Sequence, residues 1–329
     1  MFRSRIQAIS VVLAFTSAAM ATDAGRVIAW GNVDPQTVPN VSNALDVGMG
    51  SDFGAIVTAD GTVQCWGGNS RSGSTNVPAG LQAVEIACGS DHTVARRANG
   101  TVACWGDNYY NQCAAPTGLT CRSSTAGYYG SIAIQSDGTV ATWGSWFSNY
   151  GGPGALRIPG SPNGVKQASV GYSCAMILRD NGRVYAFGPG TNGETVVPLG
   201  LIATQIASGR YFSAAITPAR TVVCWGENSY RQCEVPAYVQ DVVQIEAGSA
   251  YCVALLATGA VECWGSNSVG QCMPPIELTS ASLIAAGEIQ AAAIAGSAPT
   301  ISCPGDFDGD GEVTTADISL MLLSFGPCS

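Results

Sequence analysis

Acidic residues near the C-terminus have the spacing of a calcium-binding loop. Asp306, Asp308 and Asp310 take positions 1, 3 and 5 of a twelve-residue loop, with Gly311 at its sharp turn. Position 7 gives a backbone carbonyl and position 12 a carboxylate, so the predicted ligands are Asp306, Asp308, Asp310, Glu312 and Asp317, with Thr314 at position 9. Hard oxygen donors favour Ca²⁺ over transition metals. The sequence therefore predicts a Ca²⁺ site, and a solvated acidic turn is the alternative.

Three loops carry two cysteines each at the same spacing. The pattern C-W-G-x-N-x-x-x-Q-C gives the pairs Cys104/Cys113, Cys224/Cys233 and Cys263/Cys272. We predict pairing within each loop, where a bridge that closes so short a loop adds about 2 to 3 kcal/mol to stability. A fourth pair, Cys303 and Cys328, is predicted to staple the calcium segment, which is too small to hold itself.

Other catalytic candidates are few. The chain has 13 cysteines but no C-x-x-C pair, which argues against zinc and thioredoxin-like sites. After the four predicted pairs an odd number remains, so at least one buried free thiol is expected among Cys65, Cys88, Cys121, Cys174 and Cys252. A catalytic thiol needs a base. The single histidine, His92, stands where other repeats have Phe, Gly, Cys, Tyr or Gln, which indicates a structural role.

The cysteine loops belong to a repeat that fills most of the chain. Its opening heptad, GTVACWG at Gly100, recurs in related form at Gly25, Gly61, Gly138, Gly182, Arg220 and Gly259. The starts are 36, 39, 38, 44, 38 and 39 residues apart, a period typical of solenoids and propellers. Side chains alternate between the two faces of a strand. The Val at position 3 of the heptad and the residue at position 5 therefore lie on one face, and the aromatic residue at position 6 lies on the other. We expect the aromatics to be core wedges: Trp30, Trp66, Trp105, Trp143, Phe187, Trp225 and Trp264.

Each repeat continues through a loop and a proline into two short apolar runs around a glycine. The central glycines, which indicate close backbone packing or positive φ, are Gly50, Gly89, Gly127, Gly171, Gly209, Gly248 and Gly287. Turns such as Asp60-Gly61 join the second run to the next heptad as a hairpin. The runs from Ser282 have no following heptad, and the heptad at Gly25 has no preceding runs, so pairing them closes a ring. The prediction is all-β, a seven-bladed β-propeller closed by the N-terminal strand; an open β-solenoid is the alternative.

These repeats resemble the regulator of chromosome condensation repeat family, in its bacterial exported form. The resemblance rests on G-x-V-x-x-W-G, on A-G-x-x-H/aromatic, and on N-x-x-x-Q at Asn108/Gln112, Asn228/Gln232 and Asn267/Gln271. It covers residues 25–297 and implies a seven-bladed propeller whose termini meet in one blade. The eukaryotic namesake activates a small GTPase and sits on chromatin, and an acidic, exported chain argues against both roles.

The segment 303–329 resembles a type I dockerin repeat, in which Asp at position 12 is the rule. The resemblance implies calcium binding and a cohesin-like partner. Dockerins normally have two such repeats and this chain has one, so we expect a dockerin-like attachment segment more than a complete cohesin ligand.

The N-terminus has the features of a secretory signal. Arg3 and Arg5 precede an apolar run from Ile6 to Ala19, and Ala19 and Ala21 fit a cleavage site. Cleavage after Ala21 is expected, with an uncleaved anchor as the alternative. It would lower the net charge from −9 to −11, which disfavours nucleic acids and anionic membranes. The expected organisation is a signal peptide at 1–21, a propeller at 22–297, a linker at 298–302 and the calcium segment at 303–329, in a secreted or cell-surface protein without a membrane span.

The leading hypothesis is an exported, non-enzymatic propeller that binds a protein or a surface polymer, with the calcium segment for attachment. Loop tips vary within the repeated frame, so the candidate binding residues are Asp107, Tyr109, Tyr110, Tyr230 and Arg231. The alternative is a carbohydrate-active enzyme, or an accessory module of polysaccharide degradation. The enzyme would need two facing carboxylates, for which the loops offer Asp107, Glu194 and Glu227. A purely structural envelope protein is a third hypothesis.

Overall fold

The computed structural model describes residues 25–68, 72–145 and 163–296. These residues form 21 β-strands and one short 3-10 helix, Pro35–Thr37. Across these ranges, no helix has the length and apolar character that a membrane crossing requires. The predicted signal peptide, the linker at 298–302, the calcium ligands Asp306, Asp308, Asp310, Glu312 and Asp317, and the Cys303/Cys328 pair all lie outside the described residues.

The strands form seven antiparallel sheets of three strands, which we call blades 1 to 7. Blade 1 contains β2 (Ala44–Met49), β3 (Phe53–Thr58) and β4 (Val63–Gly67); blade 2 contains β5 (Glu85–Cys88), β6 (His92–Arg96) and β7 (Val102–Gly106); blade 3 contains β8 (Ser123–Ala126), β9 (Gly130–Ile134) and β10 (Val140–Gly144). Blade 4 contains β11 (Val165–Val170), β12 (Ala175–Arg179) and β13 (Val184–Phe187); blade 5 contains β14 (Gln205–Ser208), β15 (Phe212–Ile216) and β16 (Val222–Gly226). Blade 6 contains β17 (Val242–Ala247), β18 (Tyr251–Leu256) and β19 (Val261–Gly265); blade 7 contains β20 (Ala281–Ala286), β21 (Gln290–Ala295) and β1 (Val27–Gly31). This all-β arrangement is that of a seven-bladed propeller.

The strand pairing within blades follows the predicted hairpins. In blade 1, β3 pairs with β4 from Phe53↔Gly67 to Val57↔Val63 around the Asp60-Gly61 turn, where Gly61 has φ +83°. In blade 7, β1 pairs with β21 from Val27↔Ile294 to Gly31↔Gln290. The first heptad strand therefore joins the last pair of apolar runs, as the repeat pattern predicts.

Aromatic residues of the heptad strands lie between neighbouring blades. Trp105 of blade 2 packs with Val63 and Cys65 of blade 1, whereas Trp66 of blade 1 packs with Val27 of blade 7. Val63 and Cys65 thus face one neighbour and Trp66 the other, so the predicted alternation is confirmed. Each of the seven hydrophobic clusters in the described chain contains one of the predicted aromatics. The role of these rings as core wedges is confirmed.

In five blades the tryptophan also bonds to the loop that follows the preceding blade. Trp143 Nε1 donates to the carbonyl oxygen of Gln112 at 2.8 Å, and Trp105 Nε1 donates to that of Ser74 at 2.8 Å. Three further tryptophans make the same bond: Trp30 to Gln271, Trp225 to Glu194 and Trp264 to Gln232. The buried Nε1 of Trp66 has no hydrogen-bond partner among the described residues.

The central glycines pack backbone against backbone. A Cβ on Gly171 would lie 2.1 Å from the carbonyl oxygen of Gly209, and one on Gly287 would lie 2.2 Å from that of Gly50. None of the seven central glycines has a positive φ. Of the two explanations that the sequence left open, the structure supports close packing.

The unequal bonding of the tryptophans gives a matched test. Trp143 is 4% exposed and Trp66 is 3% exposed, so replacing either by Phe removes a similar buried area. Trp143→Phe also removes a hydrogen bond and leaves a buried carbonyl with one donor fewer, at a cost of about 1 to 2 kcal/mol. We expect Trp66→Phe to cost clearly less, because it removes an unpaired buried N–H. Equal losses in urea denaturation would contradict this account of the wedge.

Candidate functional site

The loops that follow the heptad strands are held by the N-x-x-x-Q residues. In blade 2, Asn108 Oδ1 accepts from the Cys113 N–H at 2.9 Å, and Gln112 Oε1 accepts from the Tyr110 N–H at 2.7 Å. Gln112 Nε2 donates to Asp107 Oδ2 at 2.7 Å, and Gln112 is fully buried. The equivalent bonds recur around Gln232 and Gln271. These loops are therefore rigid brackets with exposed tips.

The acids that an enzyme would use take part in the same bracing. Glu194 is fully buried, accepts from the Asn192 N–H at 2.9 Å, and is hydrogen-bonded by the Ser173 hydroxyl. Asp107 accepts from Gln112, and Glu227 accepts from Gln232 Nε2 at 3.5 Å. The described residues contain no group of three or more His, Cys, Asp or Glu that could hold a metal ion.

The three loop cysteine pairs are neighbours in space. Cys263 and Cys272 form a disulfide with a Cα–Cα distance of 4.9 Å. Cys104 and Cys113 are present as thiols in mutual contact, as are Cys224 and Cys233, and Cys224 also contacts Cys252. Disulfides in these two pairs stay a prediction.

The other thiols have little nucleophilic character. Burial raises the pKa of Cys65 and that of Cys174 to about 12. It also raises the pKa of Cys88 far above its usual range. A protonated thiol is a poor nucleophile, so the catalytic-thiol alternative has no support among these cysteines.

His92 is a core residue. Its Nε2 lies 2.9 Å from Ser131 Oγ, and its ring packs where a Cβ on Gly89 would lie 2.3 Å away. Burial lowers the pKa of His92 to about 4, so the ring is neutral near pH 7. Phe53 stands against Gly50 in the same way, which supports the structural role predicted for this position.

Two sets of loops share one face of the molecule, which we call the loop face. The first set is the two residues after each central glycine, and the second is the bracketed loops after the heptad strands. Asp107 N donates to Asp91 O at 2.8 Å, and Glu227 N donates to Tyr211 O at 3.0 Å. Such bonds hold the two sets together in several blades. The opposite face carries the turns such as Asp60-Gly61.

Six tyrosines pack edge to face along the loop face, and we call them the tyrosine arc. They are Tyr109, Tyr110, Tyr128, Tyr129, Tyr172 and Tyr211, from blades 2 to 5. Ring centroids lie 4.8 to 6.2 Å apart, and Tyr109 is 81% exposed. Arg210 lies over the rings of Tyr172 and Tyr211, at 5.1 and 5.3 Å from their centroids. None of these rings belongs to the clusters between blades.

A second part of the loop face is acidic. Ser51 Oγ donates to Glu288 Oε2 at 2.9 Å and lies 2.7 Å from Ser90 Oγ, which donates to Asp91 Oδ2 at 2.9 Å. Partial burial raises the pKa of Asp91, and the carboxylates of Asp52, Asp107 and Glu288 raise it further. We call Asp52, Asp91, Asp107 and Glu288 the acidic arc.

A central cavity of about 360 Å³ runs between the inner strands of the blades. Small residues such as Gly48, Ala87 and Ser169 line most of it, with Asp46 and Glu246 among them. Burial raises the pKa of both carboxyls to about 7. Asp46 accepts from the N–H groups of Val47 and Ile86, which links the inner strands of blades 1 and 2.

The structure brings together only part of the predicted binding set. Asp107, Tyr109 and Tyr110 belong to the two arcs. Tyr230 and Arg231 are exposed in the loop that follows blade 5 and belong to neither arc. Arg231 has φ +63°, and its Nε lies 3.9 Å from Glu234 Oε2. Sequence reasoning missed Tyr128, Tyr129, Tyr172, Arg210, Tyr211 and Glu288. The sequence signal that points to them is the variable pair of residues after each central glycine, such as Tyr128-Tyr129 after Gly127.

Comparison with known proteins supports the repeat and the fold. Four segments, 45–72, 83–112, 203–232 and 242–271, match the sequence model of the regulator of chromosome condensation (RCC1) repeat. Comparison with curated proteins gives no significant match.

Solved structures resemble the chain at low sequence identity. Prp20p from Saccharomyces cerevisiae is 13% identical with a TM-score of 0.68, over 91% of this chain and 95% of that chain. Human WBSCR16 is 15% identical with a TM-score of 0.65, over 83% and 99%. The ectodomain of the Physcomitrella patens receptor kinase CR4 is 21% identical with a TM-score of 0.63, over 75% and 68%. At these identities the likeness establishes the RCC1-like propeller fold alone.

Burial of His92 makes stability depend on pH in a predictable direction. The unfolded chain binds a proton at His92 near pH 6.5, whereas the folded chain does so only near pH 4. Stability from this group is therefore present above pH 6.5 and is lost as the pH falls towards 4. The variant His92→Phe places at this position the residue that Phe53 provides in blade 1. As the pH falls from 7 to 4.5, we expect the free energy of unfolding of this variant to rise by about 2 kcal/mol relative to that of the natural chain. A difference between the two proteins that is constant with pH in urea denaturation would contradict a buried neutral ring.

Proposed function

We propose that this chain, a propeller built with RCC1 repeats, is an exported, non-enzymatic scaffold that binds a protein partner through its loop face. A closed ring of blades would hold the loop face rigid, and the C-terminal calcium segment would attach the protein to a partner or surface outside the cell. The alternative partner is a polymer of the cell surface. The tyrosine arc is the observation that carries the proposal.

The arc has the properties of a contact surface. Tyrosine offers a large apolar area and a hydroxyl at a low entropic cost, and it is enriched at protein interfaces. The six rings lie on loops outside the clusters between blades. These rings pack on one another and on Arg210, and Tyr128 also lines the central cavity. Binding accounts for a continuous row of rings better than the folding of the blades does.

Protein binding is also what the structural relatives suggest. The published structure of Prp20p is described with its binding to Gsp1p and histones. Transfer of this property to the present chain is part of the proposal, limited to the use of a propeller as a protein-binding scaffold. The partner is expected to be different, because the N-terminal signal and the loop cysteines favour an exported protein.

The enzyme alternative has less support. Asp107, Glu194 and Glu227 are engaged in bracing the loops on which they lie. A glycosidase needs one free carboxyl acid and one carboxylate on opposite sides of a bound sugar. The arrangement of these three residues is better explained by loop structure.

Tyrosine variants on and off the loop face test the scaffold function. Tyr129→Ala with Tyr172→Ala removes the middle of the arc, while Tyr185→Ala with Tyr238→Ala removes two tyrosines elsewhere, 38% and 66% exposed. We expect proteins captured from the exported fraction by the immobilised mature chain to be lost with the arc variant and kept with the control. Capture that both variants retain equally would overturn the proposal.

The calcium segment is tested independently of the propeller. Asp308→Ala with Asp310→Ala removes two predicted ligands. We expect this change to abolish calcium binding in isothermal titration calorimetry, while the Tm of the propeller stays the same. Unchanged calcium affinity in the variant would rule out the predicted ligand set.

A further inference from the structure

The acidic arc keeps like charges close together. Asp91 feels the charges of Asp52, Asp107 and Glu288, and each of them raises its pKa. Two serine hydroxyls link the ends of the arc, since Ser51 bonds to Glu288 and Ser90 bonds to Asp91. The carboxylates of Glu288 and Asp91 are therefore held in direction by the two serines.

The fold does not require acids at these positions. The pairs equivalent to Ser51-Asp52 and Ser90-Asp91 are Tyr128-Tyr129 in blade 3, Tyr172-Ser173 in blade 4, Arg210-Tyr211 in blade 5 and Ser249-Ala250 in blade 6. Those blades have the same strands and the same central glycine with neutral or basic residues in place of the acids. Like charges at close range repel one another, and the other blades keep the same frame without acids at these positions.

The adjoining tyrosines already hold one cation. The Arg210 guanidinium lies over Tyr172 and Tyr211 in cation–π geometry. The buried Nε of Arg210 has no hydrogen-bond partner within the described ranges. The aromatic half of the face is thus suited to cationic side chains, and the acidic half beside it has the charge to attract them.

We propose that the loop face binds a basic protein segment, whose lysine or arginine side chains meet the acidic arc while its apolar parts pack on the tyrosine arc. This inference rests on the proposed scaffold function and adds the chemistry of the partner. The chain's net charge of −9 would steer such a segment towards it, whereas an anionic polymer would be repelled.

A labelled octalysine peptide measures the cationic half of this recognition. The test variant is Asp52→Asn, Asp91→Asn and Glu288→Gln, which removes three charges with little change of shape. The control is Asp60→Asn, Asp137→Asn and Asp180→Asn, which removes three charges from turns on the opposite face. Asn99 and Asn181 naturally occupy the position equivalent to Asp60 and Asp137, where they accept from the N–H groups of Thr101 and Arg183, so these two changes preserve the turn. Asp180 directly precedes Asn181 in a third turn on the same face.

In fluorescence anisotropy at low salt we expect the loop-face variant to weaken octalysine binding at least tenfold, and the control at most twofold. The loop-face variant should still unfold in one cooperative transition well above the temperature of the binding assay, so that weaker binding reflects the lost charges and not unfolding. Equal weakening in both variants would mean that net charge alone attracts the peptide, and would overturn the inference. Tighter binding of octaglutamate than of octalysine by the natural chain would do the same.

The natural partner separates this inference from the scaffold function. If capture of the partner is lost with the tyrosine variant and with the loop-face acid variant, both proposals are supported. If the tyrosine variant loses the partner while the acid variant keeps it, the scaffold function stands and the basic partner is ruled out. Capture that neither variant affects overturns both.

Discussion

Seven glycines bring the inner strands of the blades into backbone contact around the centre of the molecule. At Gly89, a Cβ would lie 2.2 Å from the carbonyl oxygen of Gly127 in the next blade. This closeness allows the residue after six of the seven glycines to bond to the neighbouring blade: Ser51 N–H donates to Ser90 O at 3.0 Å, and Glu288 N–H to Gly50 O at 3.2 Å. The residues after the glycines take their positions on the loop face from this contact.

The same constraint explains why the loop face can vary. The glycine and the strand residues are fixed by packing, but the two side chains after the glycine project from a frame that is already bonded through its backbone. The bracketed loops are held in a similar way, because the carbonyl of Gln112 receives the Trp143 N–H while its side chain binds its own loop. The side chains after the glycines are therefore displayed on a surface that is held by backbone contacts, whereas Asp107 also braces its own loop through Gln112.

Much of the frame could be predicted from the sequence, because its signals are local and repeated. The heptads gave the strands and the inter-blade wedges, and the count of runs and heptads gave the pairing of β1 with β21. The tyrosine arc could not be predicted in this way. Tyr110, Tyr129, Tyr172 and Tyr211 come from four different blades, and each looks like an ordinary loop residue until the blades place them side by side. The acid at Asp107 shows the reverse case, since its position in a loop suggested a binding tip and its bond to Gln112 gives it a bracing role as well.

The central claim is that a rigid frame presents the loop face for binding while the opposite face stays free. The most direct test is hydrogen–deuterium exchange of the mature chain, measured once alone and once with the protein that the immobilised chain captures. The account predicts new protection in peptides covering 50–53, 89–92, 127–130, 171–173 and 209–212, with the turns at 59–61, 98–100 and 180–182 unchanged. Protection confined to those turns, or spread evenly over both faces, would contradict it.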